Sequence, residues 1–177
     1  KRLELKVNIT KTKIVRPSKL KYLGFGFWKS GEGWKCRPHE DSIQKFKLKL
    51  KKLTQRKWNI DLTTRIQRLN WVIRGWINYF SLGNMKEALT RIDERLRTRI
   101  RVIIWKQWKM KTKRLWGLLK LGVPRWIADK VSNWGNHYQQ VAQKSVLKRA
   151  ISKPVLKKRG LVSCLDYYIE RHALKVS

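Results

Sequence analysis

Acidic residues are scarce in this chain: 11 Asp and Glu stand against 44 Lys and Arg in 177 residues. The only adjacent acids are Glu40–Asp41 and Asp93–Glu94. The first pair precedes a helical pattern and reads as capping; the second lies on a basic helix and reads as ion pairing. Two-metal polymerase or nuclease chemistry requires clustered carboxylates, so no metal site and no catalytic residue are expected here. Cysteine is scarce too. Cys36 and Cys164 lie far apart, no CxxC occurs, and His39, His137 and His172 are scattered. Zinc-site spacings and an HNH-like Cys/His set are thereby excluded. Two free thiols in a reducing compartment are the expectation, and with it a cytoplasmic, nucleic-acid-associated location. No apolar run is long enough to span a bilayer, and no signal peptide precedes the first pattern. There is no P-loop and no defensible Ser/His/Asp order. The chain opens on Lys1 and enters patterned sequence at once, so it is expected to be cut from a longer protein.

What is present is positive charge and tryptophan. The formal net charge is +33, and ten Trp accompany it. Such a chain repels itself until a polyanion neutralises it, and nucleic acid is the commonest such partner. An anionic membrane surface is the competing partner. The basic residues run along the whole chain, which fits a broad binding face better than a single membrane anchor. The aromatic content also separates the chain from a disordered basic tail.

The hydrophobic period changes once along the sequence. Leu3, Leu5, Val7 and Ile9 alternate with polar residues, as in a half-buried strand. After Pro17, a strand from Leu20 to Trp28 is predicted, with Leu23, Phe25 and Phe27 on one face. Ser30 to Gly33 make a turn, and Trp34 to Arg37 return as the second strand of a hairpin ended by Pro38. From about residue 41 the period is helical, with Ile43, Phe46, Leu50 and Leu53 on one face. Asp61 N-caps the next predicted helix, which ends near Gly83. Asn84 is expected to cap a third, with Glu87 completing a capping-box pattern, through Lys109. Leu115 to Leu121 form a short helix stopped by Gly122, and Pro124 opens another through Asn136. Shorter helices follow at 145–152, 154–159 and 163–172, the last with Ser163 and Asp166 as a capping box. The fold class is mainly α: an antiparallel helical bundle preceded by a small β-hairpin. The predicted divisions are 1–40, 41–116 and 117–177.

On the second helix, at about 100° per residue, Leu62, Ile66, Leu69, Ile73, Trp76 and Phe80 share a stripe. That stripe is core. Gln67, Trp71, Arg74 and Asn78 share the opposite face. Trp71 has two readings. It packs against the C-terminal helices, or it stacks on a base while Arg74 and Asn78 contact phosphate or 2′-hydroxyl. Gly75 costs about 1 kcal/mol in mid-helix relative to Ala, so close approach by another backbone, of protein or RNA, is expected there. On the third helix Leu89, Ile92, Leu96, Ile100 and Ile103 form the core stripe. Arg91, Glu94, Thr98, Arg101 and Trp105 lie on the far side. Glu87–Arg91 and Asp93–Arg97 are spaced to pair. Arg95, Arg99, Arg101, Lys106 and Lys109 lack a local carboxylate, which favours a polyanion groove. The candidate RNA-binding residues are therefore Gln67, Trp71, Arg74, Asn78, Arg91, Arg101, Trp105, Lys106 and Lys109.

Several ordered stretches resemble one family. Asn8, Lys11, Thr12, Lys13 and Ile14 are similar to the segment that ends the palm of group II intron-encoded reverse transcriptase/maturases. Lys21, Tyr22, Leu23, Gly24 and Phe25 resemble the hairpin that follows it there. Residues 69–80 resemble the maturase-specific (domain X, thumb) helix motif. Trp105 to Lys109 resemble the tryptophan-rich string after it. Leu147, Ala150, Ile151, Leu156, Gly160, Leu161 and Tyr167 sit as in the tails of such proteins. The resemblance covers nearly the whole chain. The tyrosine-x-aspartate-aspartate turn that binds the family's catalytic metals is not in it.

The resemblance implies a thumb-like bundle preceded by the end of a palm. It implies a parent RNA-directed DNA polymerase using Mg²⁺, with no cofactor in this segment. Lys11, Tyr22, Leu23, Gly24 and Phe25 would support the primer and template. The partners implied are group II intron RNA and an RNA/DNA duplex, with a DNA target possible and no membrane. The segment would grip RNA to support splicing and reverse transcription by phosphate neutralisation and by aromatic and Arg stacking on unpaired bases. Two other readings stand beside it. One is a general basic DNA-binding or architectural module; the other is a purely structural thumb that binds nothing without its palm.

Overall fold

The computed structural model describes residues 14–176. The alternating strand expected at Leu3–Ile9, and Lys11 with its neighbours, lie outside the described residues. A 3₁₀ turn at Pro17–Lys19 leads into a three-stranded antiparallel sheet of β1 (Lys21–Tyr22), β2 (Phe25–Ser30) and β3 (Gly33–Pro38), in that order. The rest is helical: α1 (Glu40–Leu53), α2 (Leu62–Phe80), α3 (Lys86–Gln107), α4 (Lys111–Lys120), α5 (Arg125–Ser132), α6 (Tyr138–Gln143), α7 (Ser145–Ala150), α8 (Lys153–Lys158) and α9 (Cys164–Val176).

The strand predicted from Leu20 to Trp28 is broken in the middle. Tyr22 pairs with Phe25, so Leu23 and Gly24 form a two-residue turn with φ of 48° and 81°. Positive φ at both central positions matches the twist of the flanking strands. Gly24 adopts it freely; Leu23 does so against its Cβ. Leu23 is consequently exposed at a turn and does not share a strand face with Phe25 and Phe27.

The helix caps show where local sequence was sufficient. Asp61 accepts from the backbone N–H of Thr63 and Thr64, at 2.8 and 3.2 Å, as an N-cap should. These bonds, that from Thr64 first, hold its carboxyl below the usual carboxylate range. Asn84 does not cap α3. Met85 holds the N-cap position, and the Asn84 backbone N–H donates to the Cys36 carbonyl, tying α3 to β3. The Ser163–Asp166 capping box is half made: the Asp166 N–H reaches Ser163 Oγ at 3.4 Å, while the Asp166 carboxylate turns to Lys153.

Two apolar clusters hold the helices. The first gathers α1, α2 and α3 with Ile151, Leu156, Leu161, Cys164 and Tyr168 from the C-terminal segments. The second surrounds Trp105 with Leu118, Val123, Ala128, Val131, Val141, Leu147 and Ala150. Trp108 and Leu121 touch both. Trp108 lies flat on Gly117, where a Cβ would stand 2.5 Å from its ring, so only glycine admits the indole there. The predicted division at 116/117 falls inside α4, and residues beyond it complete the first core.

The two thiols differ sharply. Cys164 is fully buried, and burial, followed by the neighbouring Asp93 carboxylate, pushes it well above the usual thiol range. Cys36 is half-buried, with Sγ 3.8 Å from the Leu82 carbonyl. The thiolate is the reactive form. Alkylation of the folded chain should therefore label Cys36 and spare Cys164 until unfolding, as peptide mass mapping can read. Equal labelling of both in native buffer would refute the packing of α9.

Candidate nucleic-acid interface

The face-splitting of α2 is the starting point. Ile66, Leu69, Ile73, Ile77 and Phe80 are buried. Ile77 takes the position expected for Trp76. Trp76 lies at the edge of the core, half-buried, and stacks on Phe46 with ring centroids 4.4 Å apart and planes 8° apart. The core face is therefore rotated slightly from the predicted stripe, because α2 is covered by α1 on one flank and α9 on the other.

Gln67, Trp71, Arg74 and Asn78 are all exposed on the remaining face. Trp71 is 72% exposed, so of its two readings packing against the C-terminal helices is not realised. Gly75 has nothing within 4 Å of where a Cβ would sit, so no other backbone among the described residues approaches it. The glycine leaves a flat place in a row of polar side chains. Arg74 forms no ion pair among the described residues.

This face continues onto α9, which the sequence reading missed. Tyr167 donates its hydroxyl to Asn78 Oδ1 at 3.0 Å and accepts from Arg171 Nε at 3.1 Å. The guanidinium groups of Arg74 and Arg171 lie 5.9 and 5.3 Å from its ring centre. Tyr167 thus orients two cations and an amide at once. The i,i+4 spacing of Tyr167 and Arg171 was visible in the sequence; their meeting with α2 was not. Beside them a cleft of about 470 Å³ is lined by Arg97, Lys153 and Lys157 as well as Arg74 and Arg171. Of its three carboxylates, Asp93 is engaged with the start of α9 and Asp166 with Lys153 at 2.6 Å, which leaves Glu170 against Arg74, Arg97, Lys157 and Arg171. The cleft is consequently left with an excess of cations.

Two more residues of the 69–80 string are structural. Asn70 donates to the Gly160 carbonyl at 2.7 Å and accepts from the Val162 N–H at 3.0 Å, pairing with that segment as a strand would. Tyr79 donates to the Leu23 carbonyl at 2.9 Å and stacks on Phe25. The Gly24 carbonyl is held by the His39 N–H at 2.8 Å and Ser42 Oγ at 2.9 Å. The Tyr22–Phe25 turn is therefore fixed at the C-terminal end of α2, with Tyr22 and Leu23 pointing to solvent.

The third-helix candidates separate. Arg91 is exposed and paired with Glu87. Lys109 is exposed, and Lys106 donates to the Arg56 carbonyl at 2.9 Å. Two expected members of an open basic face are interior instead. Trp105 is 0% exposed, and Arg101 is buried with Nε donating to the Ile151 carbonyl at 3.0 Å just past α7. The reason is that the last turns of α3 are covered on both sides, by the first core and by the second. Arg101's guanidinium is displaced downward from the usual arginine range, by burial first and by Arg97 second. The expected Asp93–Arg97 pair is also absent. Asp93 points inward and accepts from Ser163 Oγ at 2.7 Å, Cys164 N at 2.9 Å and Leu165 N at 3.0 Å. Arg99, read as lacking a local carboxylate, donates to the Lys51 and Thr54 carbonyls at the end of α1.

Residues 43–122, from α1 to just past α4, match the family model described as group II intron, maturase-specific domain. No curated protein matches the chain. The matched stretch holds all of α2 and α3 and hence Trp71, Arg74 and Asn78. Tyr167 and Arg171 lie beyond it.

Proposed function

We propose that this chain is an RNA-gripping region of a group II intron maturase, acting through the exposed face of α2 and its continuation on α9. The observation that carries the reading is that Trp71, Arg74 and Asn78 stand exposed together inside the stretch similar to the maturase-specific domain. Trp71 offers a bare aromatic face to an unpaired base, which such surfaces use for sequence-tolerant stacking. Arg74, Arg171 and the cations of the adjoining cleft neutralise phosphates, and the Asn78 amide suits a 2′-hydroxyl. The chemistry of splicing would belong to the RNA. In a longer parent protein with an Mg²⁺-dependent polymerase palm, the fixed Tyr22–Phe25 turn would sit at the edge of the thumb and support the template–primer duplex.

Competition binding tests the reading. The chain should prefer a structured group II intron RNA to duplex DNA at near-physiological salt. Affinity that follows polyanion charge alone, with a steep salt slope and no preference, would instead identify a general basic DNA-binding module. Trp71→Ala should weaken intron RNA binding by about 1–3 kcal/mol with its salt slope unchanged. Arg74→Ala should weaken it and lower the slope by about 1. Neither should move the thermal midpoint appreciably. Unfolding of both variants would show that these side chains hold the fold and would defeat the face assignment.

A further inference from the structure

Trp71 is not the only bare indole. Trp116 is 71% exposed and Trp126 is 75% exposed. They belong to α4 and α5, which pack against each other through other residues, with Leu118, Ala128 and Val131 buried. Neither tryptophan is needed for that packing, and each leaves a large aromatic face open to contact.

Their surroundings say what kind of partner fits. At about 100° per residue, Lys113 and Lys120 flank Trp116 on its own face, and Lys130 and Asp129 flank Trp126. Asp129 is engaged by Lys111 at 3.8 Å. Lys113, Lys120, Arg125 and Lys130 form no ion pair among the described residues. A helix made to lie in a bilayer surface would surround its Trp with further exposed apolar side chains; the exposed neighbours of these two are polar or charged, Thr112, Lys113 and Lys120 about Trp116 and Asp129 and Lys130 about Trp126. A duplex hides its base faces. A strand with unpaired bases offers both things the surface asks for, flat π faces and closely spaced negative charge.

We propose that the α4–α5 pair is a second nucleic-acid contact that takes unpaired nucleotides, with Trp116 and Trp126 as stacking platforms and the flanking lysines on the phosphates. It rests on the nucleic-acid reading above for the polyanion, and on residues separate from the α2 face. The strand can be RNA or DNA, since stacking reads neither sugar.

The test uses the 177-residue chain and labelled oligo-U and oligo-dT of about a dozen nucleotides, within the span of one binding surface. Trp116→Ala and Trp126→Ala should each weaken binding by about five- to tenfold, and the double variant by about 25- to 100-fold. The logarithmic salt slope should stay unchanged, because no charge is removed. A blunt duplex of equal length should bind as before, and the circular dichroism and thermal midpoint should not move. Loss with oligo-U alone would identify the strand as RNA, loss with both as either. Unchanged single-strand affinity in a folded double variant overturns the proposal. So does a double variant that loses only self-association or binding to anionic vesicles. Intron RNA binding by the Trp71→Ala and Arg74→Ala variants reports on α2 separately, so either surface can fail without the other.

Discussion

Trp105→Ala is expected to cost about 3–5 kcal/mol, the range for truncating a fully buried aromatic. In a chain of this size that lowers the thermal midpoint by on the order of 10 °C. Trp105 is the centre of the second core, with the Arg114 guanidinium 4.7 Å from its ring centre and Trp108 edge-on at 6.2 Å. Arg114 in turn donates to the Trp108 and Trp134 carbonyls and to Asn136 Oδ1, so the cavity would also loosen the segment between α5 and α6. Intron RNA affinity, measured well below the lowered midpoint, should change little. Trp105→Phe should recover much of the stability. A variant of normal stability that has lost RNA affinity would mean that Trp105 faces the ligand, as its position opposite the α3 core stripe had suggested.

That contrast shows where sequence reasoning reached its limit. The α2 faces were legible because the helix is covered on its core side and open on the other, so one period of about 3.6 residues separates them. The rule fails at the end of α3, where a second core covers the opposite side. A warning was present: Val102, Ile103, Ile104 and Trp105 form an unbroken apolar run, which a helix with an open face does not carry. Leu23 reads as a strand residue because it alternates with Phe25 and Phe27; its positive φ is imposed by the pairing of Tyr22 with Phe25. Tyr167, Arg171 and the true role of Asp93 depend on contacts between residues some seventy or more positions apart, as from Asp93 to Ser163, and no local pattern encodes them.

Fold and candidate site meet in the same residues. The 69–80 string divides three ways. Leu69, Ile73, Ile77 and Phe80 make core, Asn70 and Tyr79 fasten other segments, and Trp71, Arg74 and Asn78 remain exposed. The open face keeps its geometry because α9 is fixed beside it by contacts outside the face itself.

The contact most responsible is Asp93, and Asp93→Ala should have the second large effect. Its carboxylate, supplied by α3, accepts the first N–H groups of α9, where a negative charge is favoured by the helix dipole. Removing it leaves the buried Cys164 N–H without an acceptor and releases Ser163 Oγ. The lost charge-assisted bonds and the stranded donor together cost about 3 kcal/mol. Asp93→Asn keeps an acceptor oxygen without the charge and should lose about half as much. Because α9 carries Tyr167 and Arg171, hydrogen exchange in α9 should accelerate in Asp93→Ala. Intron RNA affinity should fall with it, although Asp93 is buried and its removal makes the chain more positive. Electrostatics alone predicts the opposite sign, tighter binding with a steeper salt slope. Weaker binding accompanied by faster exchange in α9 would show that the grip depends on the placement of Tyr167 and Arg171. Tighter binding with α9 still protected would show that charge alone governs the interaction.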